Sequence, residues 1–114
     1  MSDDLVHEHC QVLAKGSPAL DQTSIDSLSP LVSQWSIQSD LKTIEREFKF
    51  TDFYETMAFV NALAWIDHAE DHHPDIEVGY NRCVVHYSTH SVGGLSDNDF
   101  ICAAKIDALL PAPE

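Results

Sequence analysis

The sequence predicts an α+β fold in which an antiparallel sheet carries about three helices packed on one face, and three observations lead there. From Lys42 to Phe50, apolar Ile44, Phe48 and Phe50 alternate with Thr43, Glu45, Glu47 and Lys49, the period of a strand with one wet face, broken only by Arg46. Beyond Asp52, residues Phe53, Met57, Val60 and Ala64 recur three or four apart, and Phe59, Leu63 and Ile66 widen the apolar face, as in a long helix. Ile76, Val78 and Tyr80 then alternate with Asp75, Glu77 and Gly79, and a β-branched and aromatic run from Cys83 to Ser88 follows Asn81-Arg82, so a hairpin is expected. Strands with one solvated face, joined by amphipathic helices, favour an antiparallel sheet with the helices together on its other side.

Taken in order, residues 1–20 mix His7, Glu8, His9, Cys10, Lys15, Gly16 and Pro18 without sustained periodicity and read as an N-terminal arm, a short helix or an extended segment. Residues 21–114 form one domain. Thr23-Ser24-Ile25-Asp26 has the form of a capping box, and Ile25, Leu28 and Val32 follow at helical spacing until Pro30 disturbs it. Asp52 with Glu55 offers a second capping box for the long helix, which should stop near Asp71 because Pro74 disfavours helical geometry just before it. Gly93-Gly94 breaks the chain after the hairpin. Ser96 with Asp99 makes a third capping box, and Phe100, Ile101, Ala103, Ala104, Ala108 and Leu109 carry a helix to Pro111.

At 114 residues the chain is long enough for one core that buries roughly two-thirds of its unfolded surface. No apolar run approaches the ~18 residues of a membrane span, and the acidic Met1-Ser2-Asp3-Asp4 lacks the order of a signal peptide, so a cytoplasmic protein is expected. Cys10, Cys83 and Cys102 are odd in number and widely spaced, which fits reduced thiols better than a disulfide framework or a zinc ribbon. Nineteen acidic residues stand against six scattered lysines and arginines, a net charge of −13. No basic stripe exists to neutralise phosphates, which disfavours direct nucleic-acid binding.

The candidate site is built from imidazoles. Histidine is the side chain whose ordinary pKa, roughly 6.5, lets it take up or release a proton near neutrality, and His72, His73 and His90 are the candidates here. On a helix reaching Asp71, His68 and His72 would share a face, four residues apart. That spacing also suits zinc, but in His68-Ala69-Glu70-Asp71-His72 the glutamate sits one place later than the His-Glu-x-x-His motif requires. His7-Glu8-His9-Cys10 has ligand types suited to zinc or copper but lies in the arm. Neither spacing makes a metal site, and none is expected. His86, on a strand, reads as a sheet residue and is left outside the site.

The string His72-His73-Pro74, Tyr80, His90, Gly94-Leu95-Ser96 and Asp99, extended back through Phe48-x-Phe50-x-Asp52-Phe53 to Trp35, resembles the pterin-4a-carbinolamine dehydratases over residues 23–110. Residues 1–20, with His9-Cys10 and Pro18, are similar to the arm of bacterial members associated with phenylalanine hydroxylase. The resemblance implies a four-stranded antiparallel sheet, its extra strand near Trp35-Ser36-Ile37, and a homodimer or homotetramer. It implies removal of water from 4a-hydroxytetrahydropterin to give quinonoid dihydropterin, recycling the pterin of aromatic amino-acid hydroxylases, without a cofactor or metal. His72, His73 and His90 correspond to the family's catalytic histidines. Asp99, Trp35, Ser88 and Thr89 are expected to bind or position the pterin. Animal members often carry glutamate four places before His72, where this chain has His68, so no carboxylate role transfers there. Two other family roles stand as alternatives: protein interaction with a hydroxylase or transcription factor, and molybdopterin metabolism.

Overall fold

A computed structural model describes residues 2–110, with side chains from Leu5 onward. Four helices and four strands follow in the order α1 (Ser2–His7), α2 (Gln22–Leu28), β1 (Ser36–Ile37), β2 (Ile44–Lys49), α3 (Phe53–Glu70), β3 (Asp75–Val78), β4 (Arg82–Tyr87) and α4 (Asp97–Asp107). Short 3-10 turns cover Ser29–Val32 and His90–Val92. The sheet is antiparallel throughout, in the order β1-β2-β4-β3.

Alternation decides which sheet face is wet. Ile44 opposes Tyr87, Arg46 opposes Val85 and Phe48 opposes Cys83, and this side meets the helices. The other side pairs Glu45 with His86 and Glu47 with Val84, and Arg82 Nε donates to Glu47 at 2.8 Å. Arg46, which seemed to interrupt the β2 pattern, is in phase with it. Its guanidinium lies 4.4 Å from the Phe48 ring centre and reaches Asp107 at 2.6 Å, so the aliphatic stem is spent on the core while the charge finds a partner.

The caps hold the helices differently from the sequence expectation in two of three cases. The N-cap of α2 is Asp21, which accepts the Ser24 N–H, and Thr23 already lies inside the helix. Asp52 caps α3 through the Glu55 N–H, but the Glu55 carboxylate accepts from Thr51 rather than from Asp52. Only α4 has the complete reciprocal box, with Ser96 and Asp99 as its partners. The α4 helix ends at Asp107, and Pro111 lies outside the described residues.

Two strand ends also shift. Tyr80 belongs to the turn after β3, which the Gly79 N–H closes onto the Arg82 carbonyl, and its ring stacks on Phe53. The last strand stops at Tyr87 rather than Ser88. The extra strand that the family resemblance placed near Trp35 is β1, a two-residue ladder.

Trp35, Ile44, Phe48, Val85, Tyr87, Leu95, Phe100 and Ile106 form the centre of the core, and Leu5 of α1 joins it. At ~25 cal/mol per Å² of apolar area removed from water, this layer between sheet and helices is the main stabilising element. None of the described helices is long and apolar enough to cross a membrane.

Candidate active site

The site begins where α3 stops. Asp71 adopts the left-handed conformation at φ 53°, and the His72 N–H bonds back to the Asp67 carbonyl at 3.1 Å, a Schellman-type closure normally built on glycine. This turn takes His72 off the helix. The expected shared face of His68 and His72 therefore does not exist: His68 stays on the exposed side of α3 and His72 swings toward α4.

There, His72 Nε2 lies 2.6 Å from Asp99 Oδ1. Asp99 is fully buried, and its other oxygen accepts the Thr89 hydroxyl at 2.8 Å and the Ser96 N–H at 3.0 Å. Thr89 has one hydroxyl proton and donates it to Asp99, so in the 2.7 Å contact between the two hydroxyls Ser96 is the donor. With its acceptor sites committed, the carboxylate takes a proton-bearing nitrogen, which makes Nε2–H the favoured tautomer of His72. Nδ1 of His72 has no hydrogen-bond partner among the described residues and is the nitrogen left for chemistry.

Tyr87, fully buried, packs against the His72 ring. Its ring lies nearly parallel to the His72 ring, 9° apart with centroids 5.5 Å apart, and its hydroxyl donates to Asp67. Burial pushes the Asp67 carboxyl up to about 6, against the opposing pull of the Tyr87 hydroxyl and of His73 and His72. Burial likewise drives the Tyr87 hydroxyl well above its ordinary value, with Cys102 and Asp67 adding to the effect. Neither Asp67 nor Tyr87 was expected from the sequence. The available signal was an acid at the end of the four-residue spacing Phe59, Leu63, Asp67, all buried on α3.

The remaining expected residues are distributed around this pair. His73 is exposed and lines a cleft of about 300 Å³ with Asp67, His68, Pro74 and Ile76. His90 is exposed and lines a separate cleft of about 160 Å³ with Ser88, Thr89, Gly93 and Gly94. Asp99 and Thr89 link the second cleft to His72, so the structure joins His72, Asp99 and Thr89 directly but puts His73 and His90 in different clefts. Trp35 does not wall either cleft. It is buried in the core, packs against Phe48 and Tyr87 at 6.0 Å, and donates its indole N–H to Asp107 at 2.8 Å.

The arm closes over the far side of α4. His9 Nδ1 and the Cys10 N–H both bond to Glu70, at 2.9 and 2.7 Å. Burial alone would raise the Glu70 carboxyl, but these contacts outweigh it and leave it below its ordinary range. Asn98 of α4 receives the Gln11 N–H and donates to the Gln11 carbonyl. These contacts tie His9, Cys10 and Gln11 to α3 and α4 within the chain. No cluster of three or more potential metal ligands occurs among the described residues.

Comparison with known proteins converges on one family. The model for pterin 4 alpha carbinolamine dehydratase matches residues 18–109. A protein of Nitrosospira multiformis, provisionally named a pterin-4-alpha-carbinolamine dehydratase, is 55% identical over 94% of this chain and 93% of its own length. A Legionella pneumophila protein with the same provisional name is 53% identical over 96% of this chain and 98% of its own. Among solved structures, a transcriptional coactivator/pterin dehydratase from Brucella melitensis superposes with a TM-score of 0.76 at 30% identity, covering 80% of this chain and 97% of that one. A pterin dehydratase-like protein identified as a RuBisCO assembly factor in the alpha-carboxysome gives 0.59 at 25% identity, over 67% and 88%. The four strands, helices α2 to α4 and the histidine segment all fall inside the span matched by the family model, and the chain belongs to the pterin 4 alpha carbinolamine dehydratase family.

Proposed function

We propose that this chain converts 4a-hydroxytetrahydropterin to quinonoid dihydropterin by histidine acid/base catalysis, restoring the pterin used by aromatic amino-acid hydroxylases. Family membership supports the dehydration. The observation that carries the mechanism is the His72–Asp99 contact, in which a fully buried carboxylate fixes one imidazole nitrogen and leaves the other unbonded.

The chemistry asks for no more than proton transfers. The C4a–oxygen bond breaks as the hydroxyl leaves with an added proton as water, the N5 lone pair forms the C4a=N5 double bond, and the N5 proton departs. One acid and one base suffice. In our reading His72, oriented by Asp99, and His90 share these transfers, and His73 orients the flat heterocycle from the neighbouring cleft, which requires the pterin to reach across both clefts. Ser88 and Thr89 position it beside His90, Thr89 acting through Asp99. Groups placed this way are worth ~10²–10⁴ in rate, about 3–5 kcal/mol of barrier.

The test is a dehydration assay on chelator-treated protein supplied with 4a-hydroxypterin freshly made by a hydroxylase. The wild-type chain should accelerate water loss, and His72→Ala, His73→Ala and His90→Ala should each lower the rate while keeping the thermal transition. Unchanged turnover in all three removes the site from this assignment. A second reading, a protein-binding role, takes its support from the roles named for the Brucella and carboxysome relatives and from the exposed Tyr54 and Trp65 of α3. Capture of a hydroxylase or regulatory partner by a folded but inactive chain would favour it. A homodimer or homotetramer is the assembly that the family resemblance implies.

A further inference from the structure

Of the side chains that α3 buries, Thr56, Phe59, Leu63 and Asp67, only the last is an acid. Asp67 is 3% exposed, and its hydrogen-bond donor is the Tyr87 hydroxyl rather than a lysine or arginine. A carboxylate held this way opposes folding, because burial penalises its charge and a neutral phenol compensates only in part.

The geometry gives it a use. Asp67 holds His72 by two routes: its carbonyl accepts the His72 N–H at 3.1 Å, and its carboxylate anchors the Tyr87 ring that lies flat against the imidazole. Asp99 restrains the same imidazole at Nε2. One acid thus sets the direction of the ring and the other its plane.

We propose that Asp67, acting through Tyr87, is a positioning residue for His72, holding the imidazole plane against the stacked phenol ring; this rests on the acid/base reading of His72 given above. Asp67 faces Tyr87 from β4, Cys102 from α4, and His72 and His73 from the segment after α3, and His68 lines the same cleft. Its carboxyl changes charge near pH 6, inside the range in which imidazoles titrate. The Tyr87 hydroxyl favours the ionised form, so Tyr87→Phe, which keeps the stacked ring, must move that midpoint upward. Asp67→Asn removes the titration altogether.

The experiment combines carboxyl-carbon NMR titration of the whole chain, the Asp67 signal being assigned by its loss in Asp67→Asn, with the pH dependence of kcat and KM for dehydration of 4a-hydroxytetrahydropterin. The expected result is a midpoint near 6, displaced upward in Tyr87→Phe. The acid limb of kcat should follow it, kcat should fall about tenfold and KM should change less than twofold, as for loss of one charge-assisted hydrogen bond. A merely structural Tyr87 would lower kcat without moving the limb. Should Asp67→Asn fail to fold, Tyr87→Phe alone decides. A wild-type midpoint near 4, or a Tyr87→Phe limb that does not move, overturns the positioning role and leaves the dehydratase reading intact. Absence of turnover in the wild-type chain overturns that reading and this inference with it.

Discussion

His72 and His86 each lie against a carboxylate, at 2.6 Å from Asp99 and 2.8 Å from Glu77, yet their surroundings give them different capacities. Asp99 is fully buried and grips one nitrogen of His72. His86, on the wet face of the sheet, has one nitrogen on Glu77 and the other 3.4 Å from Glu45. Nε2 of His86 is held by Glu77 of β3 and Nδ1 has Glu45 of β2 beside it, so His86 bridges three strands on the wet face and neither nitrogen is clear of a carboxylate. A histidine becomes a proton-transfer group where a dry acceptor fixes one nitrogen and the fold leaves the other unbonded.

The largest effect that separates the two is on turnover. His72→Ala should lower kcat/KM for dehydration by ~10²–10⁴, whereas His86→Ala should stay within about twofold; equal losses in one assay would break the distinction. Next comes stability as a function of pH. The folded chain holds the Asp67 proton up to about pH 6, against an ordinary value of 3.8, so over that window it binds more protons than the unfolded chain and stability falls as pH rises. Asp67→Asn escapes this loss. Relative to wild type it should gain up to roughly 3 kcal/mol between about pH 4 and pH 7, read from denaturant midpoints, and a pH-independent difference contradicts the assignment.

Thr89→Val sharpens the comparison at the level of one hydrogen bond. It strips a donor from the buried oxygen of Asp99 and should destabilise the chain by about 1–3 kcal/mol, with a matching fall in kcat. The smallest effect belongs to the wet face. Glu77→Gln weakens a pair whose acid is 63% exposed, and its unfolding free energy in urea should change by less than ~1 kcal/mol, the difference vanishing in high salt.

Much of this architecture was legible. The alternation of β2 and the Ser96–Asp99 box of α4 are local patterns, and local patterns survive folding. The orientation of α3 was not readable, because the helix is apolar on nearly every side. Its exposed residues include Phe53, Tyr54 and Trp65, and its buried stripe is Thr56, Phe59, Leu63 and Asp67. β1 was invisible to periodicity at two residues. In the site, imidazole chemistry marked His72, His73 and His90 as candidates and the family resemblance assigned them and Asp99 their expected roles, while the placement of His72 turns on Asp71, a left-handed residue where glycine would have been the usual signal. The Asp67–Tyr87 contact joins residues twenty positions apart on different elements, and only the acid inside an apolar stripe hinted at it.

The central claim is that Asp99 prepares His72 for proton transfer, and nitrogen-15 NMR of His72 in wild type and Asp99→Asn, measured alongside turnover on the same samples, tests it most directly. Wild-type His72 should carry its neutral-form proton on Nε2. Asp99→Asn should disturb that tautomer and reduce kcat by at least tenfold, consistent with loss of a charge-assisted bond. A wild-type Nδ1–H tautomer, or an Asp99→Asn chain with full turnover, would contradict the account.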